Sequence, residues 1–187
     1  IANIPNMVYL APSNAEEYIA MLDWALDQDK HPVYIAIPSG PVIHAEGSVH
    51  TNFDALNTYE VTRKGSKVAV LALGDFYDLG EKTVEALSST LGIEATLVKP
   101  YFASGVDQNL LDNLVKDHDV IVTIEDGIIE GGWGQNIASY LGTSPARVLN
   151  YGVKKAFYDR VNIADLVRES HLDPKLIAAD IKQVLGL

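Results

Sequence analysis

The sequence predicts a three-layer α/β/α fold built on a mostly parallel sheet. Strand-like apolar segments alternate along the chain with helical segments of roughly 8 to 15 residues, which is the pattern of βαβ units. Two of these strands, KVAVLAL (67–73) and DVIVTI (119–124), are nearly continuous apolar runs after their first residue, as expected where helices cover both faces of a parallel sheet. A chain of 187 residues is also long enough to bury one core without disulfides or metal ions.

Residues 1–40 predict a βαβ fragment, the tail of one domain. Met7–Leu10 and Pro32–Ile37 have strand character. Between them, residues 14–28 predict a helix whose capping box is Ser13 and Glu16. The helix repeats apolar side chains at helical spacing, namely Tyr18, Leu22, Ala25 and Leu26. The fragment has too few elements to form a domain by itself.

Residues 41–65 predict a linker, and residues 66–187 predict a second α/β domain. Periodicity fades in the linker, although Thr58–Thr62 has the composition of a short strand. Asp107 and the pair Asp173–Pro174 are helix-start signals. The predicted strands of this domain are 67–73, 95–99, 119–124 and 147–150, and its predicted helices are 77–91, one starting at Asp107, 135–141 and 174–185.

Composition and charge exclude several function classes. The chain has no cysteine, so disulfide, iron–sulfur and thiolate chemistry are excluded. A net charge of -11, with the 14 basic residues spread along the chain, argues against nucleic acid and anionic membranes as partners. No apolar run approaches the roughly 18 to 20 residues that a transmembrane helix needs, and no leader-like segment is present, so we expect a cytoplasmic protein. Because Ile1 stands inside a strand-like segment, we also expect residues upstream of it.

Two loops follow predicted strands, where open α/β sheets bind ligands. In GDFYDLG (74–80), Asp75 and Asp78 oppose an anion, so a turn and helix cap is the ordinary interpretation. In EDGIIEGGWGQN (125–136), Glu125 and Asp126 end a strand, and a glycine turn leads into a helix. Its residues Gly131, Gly132, Trp133 and Gly134 fit either an anion-binding turn or a turn packed against another domain or subunit, where tryptophan is common.

The histidines and serines give no stronger signal. No histidine stands three or four residues from another, and no cysteine is available, so no metal site is predicted. Ser13, Ser39 and Ser104 lack an obvious base, and there is no G-x-S-x-G elbow. His44 and His50, on the polar linker, are more open to ligand contact than the other three, which are His31, His118 and His171.

Several segments resemble the transketolase family of thiamine-diphosphate-dependent enzymes. IPNMVYLAPSNAEEYIAMLDWAL and HPVYIAIPSG resemble the end of its pyrimidine-binding domain. KVAVLALGDFYDLGEKTVEAL, the VKP and DQNLL elements, EDGIIEGGWGQN and HLDPKLIAADIKQVL resemble its C-terminal domain. The branch that makes 1-deoxy-D-xylulose 5-phosphate is the most similar.

This resemblance implies a C-terminal fragment that is inactive by itself. The family's G-D-G metal motif and catalytic glutamate would lie upstream of Ile1, so thiamine diphosphate and Mg²⁺ are expected in the longer parent and not on this fragment. The parent would move a two-carbon unit from a phosphorylated sugar or 2-oxo acid to an aldehyde. The resemblance implies scaffolding and homodimer contacts for residues 66–187, which would make the Glu125–Gly134 turn an interface element.

One departure from the family concerns a single residue near the predicted active site. The family's synthases carry P-R-G where this chain has Pro38-Ser39-Gly40, and that arginine helps to hold the substrate phosphate. Serine offers one hydroxyl in place of a charged fork. Ser39 is therefore the substrate-adjacent candidate, and weaker binding of a phosphorylated acceptor is expected.

Two other interpretations remain open. The chain could be a non-catalytic assembly subunit that docks on a separately encoded chain binding thiamine diphosphate. It could also be a free-standing flavodoxin-like nucleotide binder that uses the Gly131 turn, but no phosphate loop follows a first strand here.

Overall fold

A computed structural model describes residues 4–37 and 41–187. The elements follow one another as β1 (Val8–Leu10), α1 (Ala15–Asp27), β2 (Val33–Ile35), β3 (Tyr59–Arg63), β4 (Lys67–Ala72), α2 (Tyr77–Leu91), β5 (Thr96–Pro100), α3 (Gln108–Asp117), β6 (His118–Ile128), α4 (Trp133–Tyr140), β7 (Arg147–Val153), α5 (Ile163–Glu169) and α6 (Pro174–Leu185). No described helix is long and apolar enough to cross a membrane.

The main sheet has five strands in the order β3-β5-β4-β6-β7. The pairs β4–β5, β4–β6 and β6–β7 are parallel, and the edge strand β3 is antiparallel to β5. A second sheet consists of β1 and β2 in parallel. The predicted mostly parallel α/β fold is confirmed, and Thr58–Thr62 does form a strand, which joins the main sheet.

Helices cover both faces of the main sheet because side chains alternate along β4. Val68, Val70 and Ala72 pack on one face with α2 and α6. Ala69 and Leu71 pack on the other face with α3 and α4. This two-sided burial explains why β4 and β6 read as continuous apolar runs in the sequence.

The N-terminal unit, residues 4–37, is joined to the main domain by backbone hydrogen bonds and by a third apolar cluster. Leu10 forms an antiparallel bridge with Phe102, and the amide of Ala11 donates to the Tyr101 carbonyl over 2.9 Å. Phe53, from the predicted linker, is buried between the two parts. The segment before β3 therefore packs as part of the core.

The structure corrects three local expectations. The N-cap of α1 is Asn14, whose side chain accepts the Glu17 amide over 2.8 Å, so the capping box begins one residue after Ser13. The buried positions of α1 are Glu17 and Met21, while Leu26 is 75% exposed. The apolar spacing missed this face because its central residue is charged. Strand β5 includes Pro100, whose missing amide is harmless at a strand end.

Two elements extend beyond the predicted pattern. Strand β6 continues to Ile128, which pairs with Val153 after an irregularity in register. Helix α5 begins after Asn162, whose side chain accepts the Ala164 amide. It has no buried residue, and its apolar stripe is limited to Ile163, Leu166 and Val167, which is too short to predict a helix from the sequence.

Candidate functional site

The glycine turn after β6 is filled by a carboxylate of the chain itself. Glu125 Oε2 accepts the Trp133 amide over 3.0 Å, and its Oε1 accepts the Gly134 amide over 2.8 Å. Glu125 therefore sits at the N-terminus of α4, where an anion would bind. The side chain is buried, and burial raises its pKa, a shift that the two amide hydrogen bonds oppose.

The other two amides of the turn are also used. The Gly131 amide donates to Gln135 Oε1 over 2.5 Å, and the Gly132 amide donates to the Ile129 carbonyl over 3.0 Å. An external anion would have to displace Glu125 or Gln135 to reach this turn. The anion-binding interpretation of Gly131, Gly132 and Gly134 thus requires a rearrangement, whereas the interface interpretation does not.

Close packing explains the glycine at position 134. A methyl group on Gly134 would lie 2.3 Å from Thr123 Oγ1, which donates to Asn150 Oδ1 over 2.8 Å. Such a contact is far inside van der Waals distance, so α4 approaches β6 this closely only with glycine. Gly131 has a φ of +81° and is exposed, a conformation that side chains rarely adopt.

Trp133 is enclosed by residues of this chain. Its side chain is 2% exposed, and its Nε1 donates to Tyr59 Oη over 2.8 Å. Tyr59 in turn donates to the Gly105 carbonyl over 2.7 Å, and burial raises its pKa. An interface at this turn would therefore be made by exposed neighbours such as Ile128 and Gly131.

Asp126 points to a separate small cleft beyond the ends of β1, β2 and β4. The cleft measures about 170 Å³ and also contains Tyr9, Tyr34 and Asp75. Burial raises the pKa of Asp75, and the charge of Asp126 raises it further. Two carboxylates with no cation among the lining residues described make this cleft unsuited to phosphate.

A larger polar cavity, about 670 Å³, lies at the junction between the N-terminal unit and the main domain. Its buried ion pair joins Lys99 Nζ on β5 to Glu17 Oε1 on α1 over 2.7 Å. Glu17 Oε2 also accepts the amide and hydroxyl of Ser13, and Lys99 lies 4.1 Å from the centroid of the Tyr77 ring. Burial raises the Tyr77 pKa to about 12. The sequence pattern did not predict this pair. Its only signal in the sequence is Glu17, which lies one helical turn from Met21 on the inner face of α1.

The remaining predicted candidates do not converge on one site. His118 is buried and bonded to Thr96 and to the Leu114 carbonyl, and His50 stacks on Tyr101 in the junction cavity. His44 pairs with Glu16, while His31 and His171 contact Asn6 and Asp180. No group of three potential metal ligands occurs within residues 4–37 and 41–187. Ser39 lies outside the described residues.

The described residues do not fit thiamine diphosphate and its metal. The strand ends present Asp75, Glu125 and Asp126, and the amides of the glycine turn are already bonded. A diphosphate needs cations or free amide donors, which these positions lack. The prediction that this chain alone does not hold the cofactor stays a prediction.

These features define a three-layer α/β domain in which the amides of the glycine turn after β6 are hydrogen-bonded within the chain. Comparison with known proteins gives its family: residues 57–177 match the model described as "Transketolase, C-terminal domain", and the chain belongs to that family. A relative described as 1-deoxy-D-xylulose-5-phosphate synthase, from Pseudoalteromonas translucida, is 36% identical over 185 residues, covering 98% of this chain and 29% of the relative. The chain spans about three tenths of the length of the curated relatives it matches.

Solved structures that superpose on this chain include transketolases. One, described as "Split gene transketolase, inactive beta4 tetramer", superposes with a TM-score of 0.77 at 24% identity and covers 100% of this chain and 59% of its own. A transketolase mutant from Pichia stipitis superposes with a TM-score of 0.73 at 15% identity and covers 98% of this chain and 26% of its own. At these identities the likeness shows the fold alone. It extends over the N-terminal unit as well as the family-matched residues.

Proposed function

We propose that this chain serves as the scaffold and dimer-contact part of a thiamine-diphosphate-dependent enzyme of the 1-deoxy-D-xylulose-5-phosphate synthase kind, and is not catalytic by itself. The observation that carries the proposal is the 36% identity to such a synthase across 98% of the chain. In this proposal the cofactor and Mg²⁺ are held by other parts of a longer parent. The parent acts in the cytoplasm as a homodimer on phosphorylated sugars or 2-oxo acids.

The internal contacts support a scaffolding role. Glu125 and the amides of Trp133 and Gly134 bond to each other, and the Glu17–Lys99 pair fixes the N-terminal unit on the main domain. Polar groups arranged for catalysis instead face a ligand position with room for a reacting atom. In the glycine turn, the polar groups instead form hydrogen bonds with one another and so hold the fold together.

The proposal is tested on the 187-residue chain and on the protein from its source. We expect no condensation of pyruvate with glyceraldehyde 3-phosphate by the chain, and no calorimetric heat of thiamine diphosphate binding with Mg²⁺ present. The intact mass of the native protein should be about three times the 20.3 kDa of this chain, since relatives are about three times as long. Turnover by the chain alone would contradict the proposal.

A second candidate function is that of an assembly subunit docking on a separately encoded chain that binds thiamine diphosphate. It is favoured by the likeness to a split-gene transketolase, whose chain is 59% covered by this one. The same mass measurement separates the two candidates. A native mass of 20.3 kDa would support the subunit, and a mass near three times that value would support the single long chain.

The acceptor substrate of the parent is tested at Ser39. An arginine gives a forked, permanently charged contact to phosphate that serine cannot give. In the full-length parent, Ser39→Arg should lower KM for glyceraldehyde 3-phosphate, by the equivalent of about 1.5–3 kcal/mol for a charged hydrogen bond, and leave KM for an unphosphorylated aldehyde unchanged. The conservative variant Ser39→Thr serves as the control. Equal effects on both acceptors would remove Ser39 from the phosphate site.

A further inference from the structure

An exposed basic and aromatic segment follows β7. Residues 154–161, KKAFYDRV, carry three cations and one carboxylate in a chain whose net charge is -11. All eight residues are exposed, and the Phe157 ring is fully so. The segment is held in place at its base, where the Lys155 amide donates to Glu130 Oε2 over 2.9 Å and Tyr158 donates to the Lys154 carbonyl over 2.6 Å.

An acidic groove lies on the outer side of α1. It measures about 400 Å³, and its lining includes the apolar side chains of Ile19, Trp24 and Val49 and the carboxylates of Asp23, Asp27 and Asp54. Ile19 is 53% exposed. No basic side chain is among the described residues that line it. The groove thus combines apolar and negatively charged lining, which suits an aromatic side chain flanked by cations.

We propose that the basic segment, residues 154–161, of one copy docks in the acidic groove of a second copy, with Phe157 entering against Ile19 and Trp24. The two surfaces have complementary charge and lie on different parts of the molecule, so each copy offers one of each. In the proposed dimer both contacts form at once, so that each copy's segment enters the other copy's groove about a two-fold axis. The inference rests on the dimer-contact part of the proposed function and gives that contact a location, beside the Glu130–Gly131 turn.

The test reverses the charge of each surface separately in the 187-residue chain. One variant carries Lys154→Glu and Lys155→Glu, and the other carries Asp23→Lys and Asp27→Lys. All four side chains are exposed, so the fold should persist, as circular dichroism will show. A control variant, Lys64→Glu and Lys175→Glu, reverses two exposed charges elsewhere. Sedimentation velocity measures the association of each protein and of a one-to-one mixture of the first two.

We expect the wild type and the control to form dimers that weaken when salt is raised from about 0.05 M to about 0.5 M. Each reversed variant should show a dimer dissociation constant at least about tenfold higher. Mixing the two should restore dimers, because every contact then joins opposite charges again. Phe157→Ser should weaken association at both salt concentrations.

Three outcomes would overturn the inference. Dimers that persist in both reversed variants would place the contact elsewhere while leaving the dimer-contact role intact. A mixture that stays monomeric would show that the segment and the groove meet other partners. A wild type that is monomeric at every concentration would overturn this inference together with the dimer-contact role, and would leave the link to the synthase to be decided by the enzyme and mass measurements.

Discussion

Glu125 shows how one side chain can decide the properties of a turn. A glycine-rich loop before a helix commonly binds an external anion. Here the carboxylate of Glu125 takes that position. The sequence EDGIIEGGWGQN contains both the glycines and the carboxylate. The sequence alone could not show whether the amides of the turn bind an external anion or this carboxylate. The approach of Glu125 to residues 133 and 134 depends on the extension of β6, which the sequence does not predict.

The raised pKa of Glu125 predicts a pH dependence of stability. A folded carboxyl whose pKa is raised keeps its proton where the unfolded chain has lost it. Its contribution to the free energy of unfolding is therefore present below the unfolded value, about 4.3, and is lost as the pH rises through the folded value. Relative to Glu125→Gln, the wild type should have its largest advantage at low pH.

Urea unfolding of both proteins across the acid range measures this advantage. Glu125→Gln keeps one acceptor but turns an amide group toward the second backbone donor, so we expect a loss of about 1–3 kcal/mol. Glu169→Gln, at an exposed position, should change little. An advantage that grows with rising pH would show the opposite linkage and contradict the assignment.

Gly134 predicts a steric effect at the same turn. Gly134→Ala places a methyl group 2.3 Å from Thr123 Oγ1, so α4 must move away from β6. We expect a loss of about 1–3 kcal/mol in the free energy of unfolding. Gly47→Ala is the matched control because nothing lies within 4 Å of the added group. Equal stability of the two variants would mean that α4 shifts at no cost.

At the scale of elements, the contact between α1 and β5 depends on the pair Glu17–Lys99. Both side chains are largely shielded from solvent, with exposures of 2% and 14%. Lys99→Met leaves the Glu17 carboxylate buried with only Ser13 as a partner, which should cost about 3–5 kcal/mol. Lys82→Met, which breaks the exposed pair with Asp78, should leave the free energy of unfolding nearly unchanged. Chemical denaturation of both variants decides whether the junction carries this energy.

Residues 41–58, which precede β3, contribute to the core although no helix or strand is assigned among them. Phe53 is 1% exposed and packs beside Trp24, Tyr101 and Phe102. Phe53→Ala should lower the free energy of unfolding by about 3–5 kcal/mol, whereas Phe157→Ala, at a fully exposed position, should lower it by less than about 0.5 kcal/mol. Thermal unfolding of the two variants makes the comparison, at a protein concentration and salt concentration where sedimentation shows both to be monomeric, since association raises the unfolding temperature. A small loss of stability in Phe53→Ala would instead favour the interpretation of this segment as a linker without a role in the core.

At the scale of the whole molecule, the sequence predicts those elements whose buried residues form a recognisable apolar pattern. Strands β4 and β6 contain continuous apolar runs, and the N-cap residues Asp107 and Asp173 predict the starts of α3 and α6. The pattern fails where burial is polar or absent, as at Glu17 on α1 and throughout α5. It also fails for pairings between distant positions, such as Lys99 with Glu17, because a single sequence does not record which charges meet.

The bridge between Leu10 and Phe102 has a consequence for the order of folding. The first strand finds its antiparallel neighbour only after more than half of the chain is available, and contacts between such distant positions form slowly. Strands β4, β5 and β6 are closer together in sequence and can assemble before β1 arrives. During synthesis, the N-terminal unit would therefore leave the ribosome before the sheet that it packs against and yet complete its structure after it.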